Sequence, residues 1–265
     1  MIKIQKSDLP NIKELYETGS TLKAIADHYS VSRECIANNL RIQGIVLQNG
    51  SSRRASKGVD LDFFNRESEE AAYYFGLLLS DGNISDRGKV TIGLQSKDRA
   101  ILESLVSAAK LNSHVKDVSR SNTDFESVQL CFTVKSLSAS LSLLGLTPRK
   151  SLKEKAPDRF LFNRHFWRGM VDGDGSIASP NKARVYLCGG KEICEQFLAY
   201  CKVINPTIDT QPALSAGGVW RTSITGSKAA SILSELYCES NFKLERKFER
   251  AKAILLKYYG DSCDI

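Results

Sequence analysis

The sequence has few of the residues that build a zinc site or a disulfide framework. Its 265 residues include three histidines and seven cysteines, and no two of the cysteines form a C-x-x-C pair. These features argue against structural zinc and against a disulfide scaffold, and they favour a reducing interior. Most of the cysteines are therefore interpreted as small buried apolar residues.

Long apolar runs are also absent. No stretch approaches the ~20 apolar residues that a membrane-spanning helix needs. The N-terminal segment MIKIQKSDLP lacks the apolar centre of a secretory signal peptide. We therefore expect no membrane partner and no secretion, and a location in the cytoplasm, an organellar matrix or a phage-infected cell.

Acidic residues are outnumbered by basic ones. The chain has 37 lysines and arginines against 30 aspartates and glutamates, which gives a net charge of +7. This excess favours an anionic partner, nucleic acid first, although a basic protein without such a partner carries the same charge. The length suits one large domain and a small one, and 42% hydrophobic residues are enough to build a core.

One pattern of elements occurs twice in the sequence. The stretches YYFGLLLSDGNI (73–84) and FWRGMVDGDGSI (166–177) align on their glycines, so that Asp81 falls on Asp174 at an offset of 93 (174 − 81). Each stretch reads as a helix and leads into an alternating strand, a helix, a second strand, another helix and a basic segment. The order indicates an internal duplication.

Small residues predict how the two repeated helices meet. Gly76 and Ser80 are four residues apart, as are Gly169 and Gly173, and this spacing places each pair on one helical face. Two such faces can pack with their backbones in near contact. Tolerance of glycine in an apolar helix is the simpler alternative for either helix alone. We also expect Gly82 to end its helix in the left-handed conformation.

Close packing of the helices gives their terminal aspartates a role. Asp81 and Asp174 each follow a small-residue face directly, so both carboxylates should emerge side by side. Two nearby carboxylates raise each other's pKa, and a divalent cation relieves the repulsion. Carboxylate oxygens without histidine or cysteine suit Mg²⁺. The alternative is that each Asp-Gly pair only makes a turn.

The two motifs resemble those of the LAGLIDADG homing endonucleases of the single-chain, two-motif type. The resemblance covers residues 60–259, and departures stand at Tyr74, Phe75 and Leu79. It implies an α/β (α+β) fold of two pseudo-symmetric half-domains, whose antiparallel sheets form a saddle over double-stranded DNA. It further implies a protein of an intron or other mobile genetic element that cuts both DNA strands. The terminal acids would then bind Mg²⁺, with the backbone carbonyls of Ser80 and Gly173 completing the shell.

The resemblance also implies lysines and a polar residue near the acids. Lys150 and Lys243 stand at equivalent places in the two closing basic segments, and both are candidates, unless they are only solvated surface charges. Gln95 ends the first alternating strand, followed by Ser96 and Lys97, and is the polar candidate. The second half offers only Gly189, Gly190 and Lys191 at this place, which leaves its polar partner unassigned.

The alternating strands predict a DNA-reading surface. Arginine and polar side chains on one face of a sheet can enter the major groove and contact base edges. An ordinary solvated face would show the same alternation. The candidates for DNA contact on these strands are Thr91, Gln129, Thr133, Arg184, Tyr186, Arg221 and Ser223.

The first residues of the chain predict three short helices. The first spans about Leu9 to Glu17, the second begins after Ser20 or Thr21, and Ser32 caps the third. The pattern resembles helix-turn-helix domains of the resolvase or sigma-region type, although a small helical interaction module is also compatible. The third helix would read DNA, and its side chains expected to be exposed are Arg33, Glu34, Ala37, Asn38 and Arg41.

The sequence thus predicts four segments. Residues 1–47 form the helix-turn-helix domain, 48–60 a basic linker, 61–157 the first half-domain and 158–265 the second. In the linker, Arg53, Arg54 and Lys57 are expected to contact phosphates. The expected protein is a monomeric, Mg²⁺-dependent DNA endonuclease. Two alternatives remain open at this point, an intron maturase that binds RNA on the same fold and a DNA-binding regulator that does not cut.

Overall fold

The computed structural model describes residues 4–18, 20–45, 47, 56–118, 126–178 and 180–260. The chain divides into two compact units, Met1–Val59 and Asp60–Ile265, and each is described by itself. The expected phosphate contacts Arg53 and Arg54 lie outside the described residues. Within the described residues, no helix is both long enough and apolar enough to cross a bilayer.

In the first unit, three α-helices follow a short 3-10 turn within the described residues up to Ile45. They are α1 (Leu9–Glu17), α2 (Leu22–His28) and α3 (Arg33–Ile42). The Thr21 hydroxyl accepts a hydrogen bond from Ala24 N at 3.0 Å, and the Ser32 hydroxyl accepts one from Cys35 N at 3.1 Å. These caps satisfy amide groups that have no partner within the helix. The three predicted helices and the Ser32 cap are confirmed.

The exposed face of α3 differs from the expectation at one residue. Arg33, Asn38 and Arg41 are exposed as predicted, whereas Ala37 is only 3% exposed and its predicted exposure is wrong. Ala37 lies three residues before the buried Leu40, so it belongs to the apolar stripe of the helix. The Arg41 guanidinium donates to Asn38 Oδ1 at 2.8 Å and reaches Glu34 Oε1 at 3.3 Å.

The second unit contains two copies of one arrangement, each with a leading helix, four strands and further helices. The first copy comprises α4 (Glu69–Asp81), β1 (Gly82–Ile84), β2 (Val90–Gln95), α5 (Arg99–Ala108), β3 (Lys116–Val118), β4 (Ser127–Phe132) and α6 (Lys135–Leu143). The second comprises α7 (Arg164–Asp174), β5 (Gly175–Ile177), β6 (Arg184–Gly189), α8 (Lys191–Ile204), β7 (Ala213–Leu214), β8 (Trp220–Thr225), α9 (Gly226–Tyr237) and α10 (Glu245–Tyr259).

The two sheets have the same topology. Their strand orders are β1-β2-β4-β3 and β5-β6-β8-β7, and all neighbouring strands are antiparallel. In the central strands, apolar residues such as Ile92 and Leu187 are buried, and the residues between them are half-buried or exposed. One face of each sheet therefore packs on the core while the other is open. The duplicated α/β architecture is confirmed.

The leading helices α4 and α7 pack directly on each other. A Cβ atom added to Gly76 would lie 2.3 Å from Phe166 O, and one added to Gly169 would lie 2.2 Å from Tyr73 O. Only hydrogen at these positions allows the backbones to come so close. The prediction that the two small-residue faces meet is confirmed.

The glycine that follows α4 has a different role from the one expected. Gly82 has φ −81° and ψ 160°, so its conformation is extended and not left-handed. Strand β1 begins directly at the end of the helix, and a Cβ atom on Gly82 would lie 2.4 Å from Leu78 O. Steric crowding at the helix–strand junction, and not a positive φ, therefore requires glycine here. Gly175 repeats the arrangement after α7, with a distance of 2.5 Å to Val171 O.

Buried polar side chains hold the two halves together. Asp172 in α7 is completely buried and accepts hydrogen bonds from Tyr73 Oη (2.8 Å), Tyr237 Oη (2.6 Å) and Leu244 N (2.8 Å). The buried Arg168 donates to Glu69 Oε1 in α4 at 2.7 Å. Because each buried polar group has partners on another element, the contacts fix the relative position of α4 and α7.

Replacement of Gly169 by alanine should destabilise the second unit. The added methyl would overlap Tyr73 O, and we expect a loss of about 1–3 kcal/mol in the free energy of unfolding. Gly217→Ala is the matched control, since a Cβ atom at Gly217 meets nothing within 4 Å. Urea denaturation of both variants measures the difference. Equal stability of the two variants would contradict close packing of the helices.

Candidate active site and nucleic-acid interface

The ends of α4 and α7 bring the two motif acids into one site. Asp81 is the last residue of α4 and Asp174 the last of α7. A Cβ atom added to Gly173 would lie 1.8 Å from Ser80 Oγ and 3.0 Å from Asp81 Oδ2. The helix ends therefore touch, and the Asp81 carboxylate lies over the backbone residue that precedes Asp174.

The environment of the two carboxylates opposes their ionisation. Both side chains have exposed surface, yet neighbouring protein atoms remove part of the water from each carboxylate. Desolvation is the first cause that raises the pKa of Asp81 to about 6, and the negative charge of Asp174 is the second. Desolvation also raises the pKa of Asp174, while the Lys150 ammonium opposes the rise. The fold thus holds two carboxylates where their charge is disfavoured, as functional sites often do.

Two lysines complete the site, one at each helix end. Lys150 Nζ donates to Ser80 O at 2.7 Å. Lys247 Nζ donates to Val171 O at 2.7 Å, Gly173 O at 3.1 Å and Gly175 O at 2.8 Å. The last carbonyls of a helix lack internal partners and carry partial negative charge, which an ammonium group stabilises. Desolvation lowers the pKa of Lys150, and it lowers the pKa of Lys247 to about 8.

The second lysine is not the one expected from the sequence. Lys243 Nζ donates to Ser240 O at 2.7 Å and lies 3.9 Å from the centroid of the Phe248 ring, so the prediction that it matches Lys150 is wrong in position. The offset of 93 (150 + 93 = 243) does not hold here, because α10 begins at Glu245 and carries Lys247 to the end of α7. The sequence contained one indication of this role. Lys247 lies on the same helical face as Ala251 and Leu255, and it is a charged residue on an otherwise apolar face.

The oxygen donors of the site fit a hard cation. No group of three histidine, cysteine, aspartate or glutamate side chains within the described ranges could hold a metal ion. The anionic oxygens at the two helix ends are those of Asp81 and Asp174. The carbonyls of Ser80 and Gly173, expected to complete the shell, accept hydrogen bonds from lysine ammonium groups. Each such carbonyl has a second lone pair. An all-oxygen set of this kind suits a hard divalent cation.

The residues expected to contact DNA lie on the open faces of the sheets. Thr91, Gln95 and Gln129 are half-buried side chains on the open face of the first sheet. Thr133 is exposed just beyond the end of β4. The first sheet therefore presents neutral polar groups at these positions.

The open face of the second sheet is charged. Tyr186 pairs with Ser223 across β6 and β8, and arginines flank its ring. The guanidinium carbons of Arg184 and Arg221 lie 5.4 Å and 4.7 Å from the ring centroid. Stacking on the ring orients both cations on the open face. Their contact with DNA remains a prediction.

Comparison with known proteins gives structural relatives only. No protein-family model and no curated protein matches the chain. Among solved structures, the homing endonuclease I-WcaI bound to its DNA recognition sequence has a TM-score of 0.53 and 9% sequence identity, over 80% of this chain and 96% of its own. The LAGLIDADG meganuclease I-CpaMI bound to uncleaved DNA has a TM-score of 0.51 and 10% identity, over 74% of this chain and 94% of its own. The chain has the LAGLIDADG fold, as predicted.

Replacement of Asp81 by asparagine should stabilise the protein in the absence of divalent cations. The pKa of Asp81 rises from 3.8 to about 6 on folding, so the folded state prefers the protonated acid and loses stability as the pH rises from 3.8 through 6. After allowance for solvent screening at this exposed carboxylate, we expect a gain of about 1 kcal/mol at neutral pH. The gain should disappear near pH 4.

Denaturation of wild type and Asp81→Asn across this pH range, in the presence of a chelator, measures the effect. Asp86→Asn in the exposed turn between β1 and β2 is the matched control, and its stability should follow that of the wild type. A destabilised Asp81→Asn variant at neutral pH would show that the carboxylate supports the fold.

Proposed function

We propose that the chain is a site-specific homing endonuclease that makes a divalent-cation-dependent double-strand break in a long, asymmetric DNA site. One observation carries the proposal. The motif helices end in two carboxylates, Asp81 and Asp174, that meet where each helix leads directly into the first strand of its sheet. I-WcaI, which has the same fold, is described as bound to its DNA recognition sequence. A binding protein without catalysis has no need for two desolvated acids at the end of its central helices.

Each side chain of the site has a separate role in the proposed reaction. Asp81 and Asp174 would hold Mg²⁺, which when bound lowers the pKa of water and stabilises charge on the attacked phosphate. Lys150 and Lys247 hold the ends of the two helices and place positive charge beside the carboxylates. Gln95, at the end of β2, is proposed to orient water at the first half of the site.

The two open faces support recognition of an asymmetric sequence. Arg184 and Arg221 present guanidinium groups, which bind guanine in the major groove with two hydrogen bonds, whereas Thr91 and Gln129 present neutral donors and acceptors. Because both halves belong to one chain, a monomer contains both faces. We propose that each sheet contacts one half of the target.

The first unit is proposed to extend the DNA contact. Arg33, Asn38 and Arg41 lie on the exposed face of α3, as a helix that reads DNA requires. Lys57, in the connecting segment, would contact a phosphate. A second binding module on the same chain raises the overall affinity because its binding becomes intramolecular.

Loss of Asp174 should abolish cleavage without abolishing binding. The target is first selected from a randomised DNA library incubated with the wild-type protein and Mg²⁺. On that target, Asp174→Asn should reduce cleavage at least about 100-fold, because a charge-stabilising ligand is lost, and it should change the Kd for DNA little.

Three results would contradict the proposal. Cleavage of no library member, together with tight binding of intron RNA, would indicate a maturase. Sequence-specific DNA binding without cleavage would indicate a regulator. Full activity of Asp174→Asn would place the chemistry elsewhere.

Replacement of Arg33 by alanine should separate binding by the first unit from cleavage. We expect DNA affinity to fall roughly 10-fold, since a good arginine–base contact contributes about 1–3 kcal/mol. The cleavage rate at saturating protein should not change, because the substitution is in the other unit from the acids. Lys13→Ala on α1, whose ammonium lies 3.8 Å from Glu17, is the control. Unchanged affinity and footprint of Arg33→Ala would favour an interaction module.

A further inference from the structure

The two halves of the site differ where their second strands end. Ile92 and Leu187 pair with the first residues of β1 and β5, so they are equivalent positions in the two sheets. Three residues further on, Gln95 in the first half corresponds to Gly190 in the second (92 + 3 and 187 + 3). A polar side chain therefore lies at this corner in the first half, and none is supplied by the second half itself.

A carboxylate from the first half fills the glycine corner of the second. Gly190 N donates to Glu154 Oε1 at 2.9 Å. A Cβ atom added to Gly189 would lie 2.7 Å from the same oxygen, and one added to Gly190 would lie 2.4 Å from Leu152 O. The two glycines thus leave space for the segment that carries Glu154.

The segment that carries Glu154 is held in an uncommon conformation. Arg149 and Leu152 have φ angles of 57° and 63°, which residues other than glycine adopt rarely and only where the surroundings impose them. Gln196 in α8 accepts a hydrogen bond from Ala156 N at 2.8 Å and fixes the end of the segment. The same segment places Lys150 at the end of α4.

Within the part of the chain that the structure describes, no cation lies within ion-pair distance of Glu154, although the Lys150 ammonium is near enough to interact with its charge. The side chain is 6% exposed, and its Oε2 has no hydrogen-bond partner among the described residues. At the first half's corner, by contrast, the buried carboxylate of Asp98 accepts from Arg246 Nε at 2.9 Å. The negative charge of Glu154 acts on Asp174 and contributes to the raised pKa of that acid. The two acids therefore differ in one neighbour each, since Glu154 adds negative charge beside Asp174 and Arg246 adds positive charge beside Asp81.

We propose that Glu154 is a positioning residue of the Asp174 half-site and that its buried charge strengthens cation binding there relative to the Asp81 half-site. The inference rests on the proposed function, because it takes Asp81 and Asp174 as the residues that hold a divalent cation. It predicts two unequal half-sites. The strand cut beside Asp174 should need less Mg²⁺ than the strand cut beside Asp81.

Calcium binding tests the inference without cleavage. Isothermal titration of the full chain with Ca²⁺ should give a tighter binding event that weakens about 5- to 10-fold in Glu154→Gln, the effect of one charge on a divalent ion when solvent at the open site screens most of their attraction. The glutamine keeps an oxygen that can accept from Gly190 N. Glu195→Gln, an exposed carboxylate on α8 that lies 3.6 Å from Lys191, is the matched control and should bind Ca²⁺ as the wild type does.

A second variant separates charge from structure. Glu154→Asp keeps the charge but shortens the side chain, so it should retain the Ca²⁺ affinity within about twofold, whereas a merely structural role would make it at least as harmful as Glu154→Gln. In cleavage assays at limiting Mg²⁺, the wild type should accumulate DNA nicked in the strand beside Asp174, and Glu154→Gln should lose this strand preference. Excess Mg²⁺ should restore cleavage of the second strand.

The outcomes distinguish this inference from the proposed function. If wild type and Glu154→Gln bind Ca²⁺ equally, or if Glu154→Gln slows both strands equally while the wild type cuts DNA, only the inference fails. If Glu154→Asp loses as much Ca²⁺ affinity as Glu154→Gln, the charge-based role is overturned. If the wild type binds no Ca²⁺ and cuts no DNA, the inference and the proposed function fail together.

Discussion

The backbone contact between α4 and α7 is the constraint on which the candidate site depends. Gly76 and Gly169 allow each helix to approach a carbonyl of the other, and the helices then run side by side to their terminal acids. Asp81 and Asp174 repel each other and have lost part of their hydration, so they would not meet without this packing. The apolar and polar contacts along the helices supply the free energy that holds the two charges together. A site of this kind is assembled by the interface and cannot exist in either half alone.

The closing segments of the two halves, which carry Glu154 and Arg246, strengthen this dependence because each contacts the other half. Glu154, from the first tail, bonds Gly190, and Arg246, from the second tail, bonds Asp98. The crossing contacts differ in chemistry, since Glu154 accepts from a backbone amide whereas Arg246 donates to a carboxylate. Asp172 shows a similar departure from symmetry, since it anchors Tyr73 and Tyr237 while the matching residue of the first motif is Leu79. The duplication thus preserves the helix interface and lets the surroundings of each acid diverge.

The parts of the molecule that repeat could be predicted from the sequence. The doubled motif and the alternation of the strands predicted the fold, the helix interface and the pairing of Asp81 with Asp174, because these depend on local periodicity and on small residues at fixed spacing. Contacts between distant segments were not predictable in this way. Counting from Lys150 pointed to Lys243, whereas α10 places Lys247 at the site. The glycines at 189 and 190 suggested a missing side chain, and only the structure shows that they make room for Glu154.

The open faces of the two sheets differ for the same reason: the helix interface is constrained by packing, and the side chains around it are not. A substitution in α4 or α7 must preserve backbone contact, whereas one on an open strand face changes only what the sheet presents to its partner. The second sheet has Tyr186 between two arginines, and the first has uncharged Thr91 and Gln129 at comparable places. Two identical faces would favour a palindromic target, since each would bind the same half-site. Two different faces on one pair of packed helices fit the proposed target with unlike halves, a form of recognition that a single duplicated chain permits and a symmetric dimer does not.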